Sequence, residues 1–208
     1  MHAVTIGNKI YIGQPHGYLC SSVGQTLELT QMKIPVGISS CLIGENVRYD
    51  GTHKYDRYIN EVLSEYFELR PFCPEMAIGL GVPRKKIHLI QLENSVSCTG
   101  IEDPSLDVTD ALIECANKQI PWQTELCGYI FKKGSPSCGI ENVKLLIEGN
   151  YQKIGQGLFA QQTMDNFPYL PIEEEGRLSN IHLREQFIQR VRALHQWKVL
   201  MREGVMKV

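Results

Sequence analysis

Long apolar runs are missing from this chain. Nothing approaches the roughly 18 consecutive apolar residues of a membrane span, so no membrane partner is expected. A basic start followed by an apolar core is missing too. The opening "MHAVTIGNKIYIGQPHGYLCSSV" does not read as a secretory signal, and the expected compartment is the cytoplasm. Charge of one sign is not in excess. Lys plus Arg is 21 against 23 for Asp plus Glu, a formal net charge of −2. That gives no electrostatic ground for a nucleic-acid polymer as partner. Internal repeats, low-complexity tracts and C-x-x-C pairs are also absent. The last absence argues against the paired short spacings of common structural zinc sites.

What is present is an ordinary globular composition. The 208 residues are 43% hydrophobic and 21% charged, enough for one domain with extra segments. The 7 cysteines are Cys20, Cys41, Cys73, Cys98, Cys115, Cys127 and Cys138. An odd number in a chain of this size, in a reducing compartment, favours thiols for packing, catalysis or metal over a disulfide framework.

Residues 1–31 differ from the rest. "VTIGNKIYIG" predicts a small hairpin around Gly7-Asn8, and a loop-like stretch follows. Met32 then opens "MKIPVGISSCLIG" as the natural start of a domain, so residues 1–31 are expected to be a dispensable extension. From there strands alternate with helices. Strands are predicted at 34–38, 68–72, 87–92, 126–132 and 143–148, the third at a sheet edge because basic residues precede it. Helices are predicted at 55–67, 106–120 and 157–167, with Asp107 capping the second. The pattern predicts an α/β, Rossmann-like layered fold with a mainly parallel sheet over 32–168. A proline-punctuated connector and one long helix fill 169–208. The connector's Glu173, Glu174 and Glu175 read as a solvated turn. Leu183, Phe187, Val191, Leu194 and Trp197 make an apolar stripe along the helix.

Three cysteines follow well-defined strands: Cys41 after "VGIS", Cys73 after "LRPF" and Cys138 after "YIFKKGSPS". In a parallel sheet the carboxyl ends of strands lie on one edge, where open α/β folds build their sites. Sequence distance then stops mattering, and the three thiols can converge. Pro74 stiffens the turn after Cys73. Pro136 and Gly139 shape the turn around Cys138, with Gly139 expected to admit a ligand close to the backbone, and Gly44 the same for Cys41. Cys98, Cys115 and Cys127 read as packing thiols. Three readings of the trio stay open on spacing: an iron–sulfur cluster, a lone nucleophilic Cys138, and zinc with a fourth ligand such as Cys98 or His53.

The motifs "ISSCLIGENVRYDG", "FCPEMAIGLGVPR" and "KKGSPSCGI", in this order, resemble the 2-thiouracil desulfurase family from about Lys33 to Phe167. The later "PYLPIEEEGRL" and "LREQFIQRV" look like the connector of two-domain relatives, in which a helical domain of unknown function follows. By that resemblance 169–208 is the remnant of a second domain, and its exposed stripe is an expected homodimer contact. The resemblance implies a 4Fe-4S cluster held by Cys41, Cys73 and Cys138, with one iron free for the sulfur of a small thiolated base or nucleoside. Sulfur is then replaced by oxygen from water without net redox. An iron–sulfur or sulfide-carrying module without hydrolytic activity is the alternative.

The attacking water needs a proton acceptor. Glu75 is the first candidate, against a bland role in capping its loop. Asp50 in "RYDG" is the second, against a role as a turn residue beside Gly51. Ser135 and Ser137 are placed to hydrogen-bond the base or a cluster sulfide, against simply forming the Ser-Pro-Ser turn. Lys132 and Arg84 are placed to offset cluster charge, with surface solvation as the plainer reading of Arg84.

Overall fold

The structure, a computed structural model, describes residues 3–6, 9–12, 33–93 and 95–204. It divides into two compact units, residues 1–32 and 33–208. In the first, strands β1 (Ala3–Ile6) and β2 (Lys9–Ile12) pair antiparallel. These are the arms of the expected hairpin; its turn, Cys20 and the loop-like stretch lie outside the described residues.

The second unit is built on two four-stranded sheets. The first contains β3 (Ile34–Ser39), β4 (Phe67–Phe72), β7 (Tyr129–Phe131) and β10 (Ile172–Glu174). Its order is β10-β7-β3-β4 and every pairing is parallel. The second contains β5 (Ile87–Leu92), β6 (Ser95–Gly100), β8 (Val143–Ile147) and β9 (Asn150–Gly155). Its order is β6-β5-β8-β9, with β5 and β8 parallel and both outer pairs antiparallel. The α/β class and the parallel sheet are as expected, but the strand over 87–92 is internal, between β6 and β8. The true edges are β6 and β9. Residues 150–154 of β9 are all exposed, a pattern without the alternation that marks a half-buried strand.

The helices are α1 (Arg57–Glu61), α2 (Pro74–Ala77), α3 (Thr109–Lys118), α4 (Ile120–Gln123), α5 (Leu158–Asn166) and α6 (Ile181–Arg202). The helix expected over 55–67 is shorter than its periodicity suggests. Asp56 caps α1 by accepting the Ile59 N–H at 3.0 Å. The helix stops at Val62 and a 3-10 turn, Leu63–Glu65, leads straight into β4. Asp107 accepts the Thr109 N–H at 2.9 Å, so it starts α3 from one residue further out than a cap. No helix among the described residues is long and apolar enough to cross a membrane.

Packing explains the layers. One face of the parallel sheet buries Val36, Ile38 and Ile130 against Ile59 of α1 and Phe187 and Val191 of α6. Gly128 permits this approach: a Cβ there would stand 2.7 Å from Val191 Cγ2. The opposite face carries Tyr129 and Phe131, stacked at 4.0 Å, with Phe159 of α5 and Ala116 of α3. Leu112 and Leu158, from the same two helices, turn to the mixed sheet and bury against Leu89 and Val143. Each such large apolar side chain contributes about 1.5–3 kcal/mol on burial. Of the predicted stripe on α6, Phe187 and Val191 are buried and Trp197 is 47% exposed.

The connector departs furthest from expectation. Residues 172–174 form β10 beside β7, and Glu173 and Glu174 are 4% and 1% exposed. They are no solvated turn; parallel pairing carries them inside.

Candidate active site

Three parallel strands side by side, β4, β3 and β7, end on one edge of the sheet. After β3 comes a 3-10 turn, Ser40–Ile43, that holds Cys41; Gly44 closes it at φ 97°, a left-handed conformation that suits glycine. After β4 comes Cys73, immediately before Pro74 opens α2. After β7 the chain runs through a loop to Cys138. All three cysteines line one cavity of about 520 Å³, together with Glu75, Arg84, Lys132, Ser135 and Ser137. Cys41 and Cys138 are buried and Cys73 is half-buried. Asp50 does not line the cavity. It accepts the Thr52 hydroxyl at 2.6 Å and lies 3.5 Å from Arg48, the work of a turn residue. Cys98 is fully buried in the core of the mixed sheet, and His53 accepts the Tyr55 N–H at 3.2 Å; neither lines the cavity.

The loop around Cys138 is fixed by its serines. Ser135 Oγ accepts the N–H groups of Ser137 and Cys138 at 3.3 and 3.2 Å. Ser137 is 1% exposed; its hydroxyl donates to Glu75 Oε1 at 2.6 Å and lies 3.6 Å from Cys138 Sγ. The two serines therefore divide the labour: Ser135 shapes the turn, and Ser137 joins a cysteine to a carboxylate. Gly139 is tight for a reason other than ligand access. A Cβ there would meet Val143 Cγ2 at 2.4 Å, so the close approach is to the protein itself.

Gly157, just before α5, is tight against the backbone of the loop itself. Its backbone angles, φ −69° and ψ 135°, suit any residue. A Cβ, however, would lie 2.5 Å from the Ser137 carbonyl carbon and 2.6 Å from Cys138 N. Gly157→Ala is expected to lower stability by about 1–3 kcal/mol through overpacking. Urea unfolding checks this; an unchanged midpoint would contradict the contact.

Arg84 is the residue whose role the sequence left most open. Its side chain is 6% exposed and its Nε and Nη2 donate to Glu75 Oε2 at 2.9 and 2.6 Å. The same guanidinium donates to the carbonyls of Gly81 and Val47 at 2.8 and 2.9 Å. Glu75 is thus held between Arg84 and Ser137. The Lys132 ammonium pairs with Glu175, and the Lys132 backbone N–H donates to Ser39 Oγ at 3.0 Å, tying the ends of β7 and β3 together.

Burial pushes the thiols toward the neutral form. Cys41 rises from its ordinary 9.0 to about 11 through burial, opposed by Lys132 and reinforced by Cys73. Burial also raises Cys138, again with Cys73 adding to it, and raises Cys73 itself. Uncharged thiols avoid the cost of a buried anion, and a metal that binds them must displace their protons. Seven basic residues line the cavity, among them Arg48, Lys86 and Lys144, against the single carboxylate of Glu75. That lining suits an anionic, thiolate-bound group. Among the described residues no three His, Cys, Asp or Glu side chains are drawn together as ligands of one metal ion. The thiols instead surround a cavity, a donor set that fits a polynuclear iron–sulfur cluster.

Comparison with known proteins gives the family. The chain belongs to the 2-thiouracil desulfurase family, whose model matches residues 36–175. It is 31% identical over 108 residues to the uncharacterized protein YbbK of Bacillus subtilis (strain 168), covering 49% of this chain and 71% of that one. It also resembles the solved structure of TudS, a 4Fe-4S-dependent thiouracil desulfidase, with a TM-score of 0.58 and 25% identity. That likeness covers 74% of this chain and 99% of TudS.

Proposed function

We propose that this chain is a desulfurase that removes sulfur from thiolated nucleobases such as 2-thiouracil, with Cys41, Cys73 and Cys138 holding a 4Fe-4S cluster. One observation carries the reading: three thiols from three adjacent parallel strand ends line one cavity with a Ser137–Glu75 hydrogen bond beside them. Family membership and the likeness to TudS support it. When bound, such a cluster supplies an iron free of protein ligands, a soft Lewis acid for the sulfur of the substrate.

The chain's own residues supply the proton traffic. Overall, water's oxygen bonds to the ring carbon, the C–S bond breaks, and hydrogen sulfide leaves; no electrons are gained or lost. Glu75 Oε1 is the proton acceptor for that water, directly or through Ser137 Oγ. Arg84 fixes the carboxylate's other oxygen, so Oε1 stays on the Ser137 hydroxyl. Glu75 returns the proton to the departing sulfur. Basic side chains of the lining such as Arg48, Lys86 and Lys144 offset the negative charge the substrate gathers as water adds.

The test is anaerobic purification with iron and labile-sulfide analysis, an absorbance spectrum, and incubation with 2-thiouracil. The expected result is brown protein with about four irons per chain, the count set by that cluster type, and equal amounts of uracil and sulfide. Colourless protein carrying zinc, or brown protein that releases no sulfide, would overturn the reading.

A further inference from the structure

We infer that Glu174 and Glu175, consecutive carboxylates at the end of β10, are positioning residues that fasten both ends of the Cys138 loop and so set where its thiol stands. The functional consequence rests on the reading of Cys138 as a cluster ligand; the clamp itself does not.

Glu175 takes the entry of the loop. One oxygen pairs with Lys132 Nζ and the other accepts the Lys133 N–H at 2.6 Å. Glu174 takes the exit, where its Oε1 accepts the Ile140 N–H at 2.8 Å. Glu173 reinforces the exit one step removed: Arg177 joins it at 2.8 Å and reaches Glu141 at 2.8 Å. Between these fastenings the loop is held from the other side, where Leu158 N–H and Ala160 N–H of α5 donate to the carbonyls of Pro136 and Ser137. Ends and middle are thus gripped by different elements.

Energetics single out Glu174. It is 1% exposed and, among the described residues, forms no ion pair, unlike its neighbours Glu173 and Glu175. Burial raises its pKa, which records the cost of placing a carboxylate there. An apolar residue would fill a strand end without that cost. What a carboxylate adds is an acceptor for a backbone N–H that β10, running parallel to β7, does not otherwise reach. Supporting partners of this kind orient metal ligands, and their loss costs about 10–100-fold in metal retention.

The experiment compares Glu175→Ala, Glu174→Leu and the acceptor-preserving Glu174→Gln with wild type and with Phe187→Leu. The last is a destabilising control in the core under α6, away from the loop. Two readouts are taken on the full chain: hydrogen exchange of the 132–141 peptide, and iron release from anaerobic protein to a chelator. Glu175→Ala and Glu174→Leu should release iron about 10-fold faster or more. Both should speed exchange in 132–141 while the β3 peptide is unchanged, and Glu174→Gln should stay near wild type. The clamp is overturned if exchange in 132–141 is unaltered. The positioning role is overturned if Phe187→Leu, at equal loss of thermal stability, releases iron equally fast. Wild-type protein without iron would sink the cluster reading, and exchange would still decide the clamp.

Discussion

Cys73→Ala should give colourless protein that releases no sulfide from 2-thiouracil, while the fold survives. Cys73 is half-buried at the cavity wall, and its sulfur is approached by the backbone N–H groups of Glu75 and Met76. Truncation removes one half-buried thiol and costs about 1 kcal/mol, a fall of about 2–4 °C in Tm for a chain of this size. The loss of iron follows from position. β4 is an edge strand beside β3, and Cys73 follows its carboxyl end directly. With only the thiols after β3 and β7 remaining, the proposed cluster would lose one of its three protein ligands. Cys98→Ala is the internal control. Cys98 is fully buried against Leu89, Leu112 and Val143, so its truncation opens a small cavity in the mixed sheet's core. That variant should lose stability and keep its colour. Iron and sulfide assays with thermal unfolding on both variants decide it; full iron in Cys73→Ala would refute the ligand set.

The trio was readable because each cysteine follows a short apolar run that can hardly be anything but a strand, and parallel strands end on one edge. The place of Glu75 in the cavity was readable for the same reason, since it stands two residues from Cys73. Arg84 was not. Its partner is near in sequence, but only the cavity's burial shows that the pair is structural and not solvated. Asp50 misled because an Asp before Gly51 has the same local appearance whether it faces a site or holds Thr52. The parallel sheet was legible, and the mixed sheet largely was not. β6 is rich in Ser, Thr and Cys, and β9 has an exposed polar run, so neither carries the period of a half-buried strand. The basic residues before β5 suggested an edge, yet both its sides are paired. Three carboxylates in a row look solvated unless the strand pairing that buries them is known, and that pairing joins residues more than forty positions apart.

Glu75→Gln should cut sulfide release about 100- to 10,000-fold, the usual worth of a positioned acid–base group, with iron content unchanged. Gln keeps an oxygen that can accept the Ser137 hydroxyl now donated at 2.6 Å, so the loop holding Cys138 keeps its shape. It cannot take up a proton, so water loses its acceptor and the departing sulfur loses its donor. Arg84 decides how cleanly the variant reports on chemistry. Its guanidinium is 6% exposed and now faces a carboxylate. With a neutral partner it stays hydrogen-bonded to the carbonyls of Val47 and Gly81, but its charge is no longer compensated at Glu75. A loss of about 3–5 kcal/mol in stability is the upper range for breaking a buried pair. The carbonyl contacts and the cavity's opening to solvent place the loss below that. The discriminating measurement is therefore single-turnover sulfide release per iron, taken at a temperature where Glu75→Gln is fully folded. A full rate per iron would remove Glu75 from the proton path and leave Ser137 without a base.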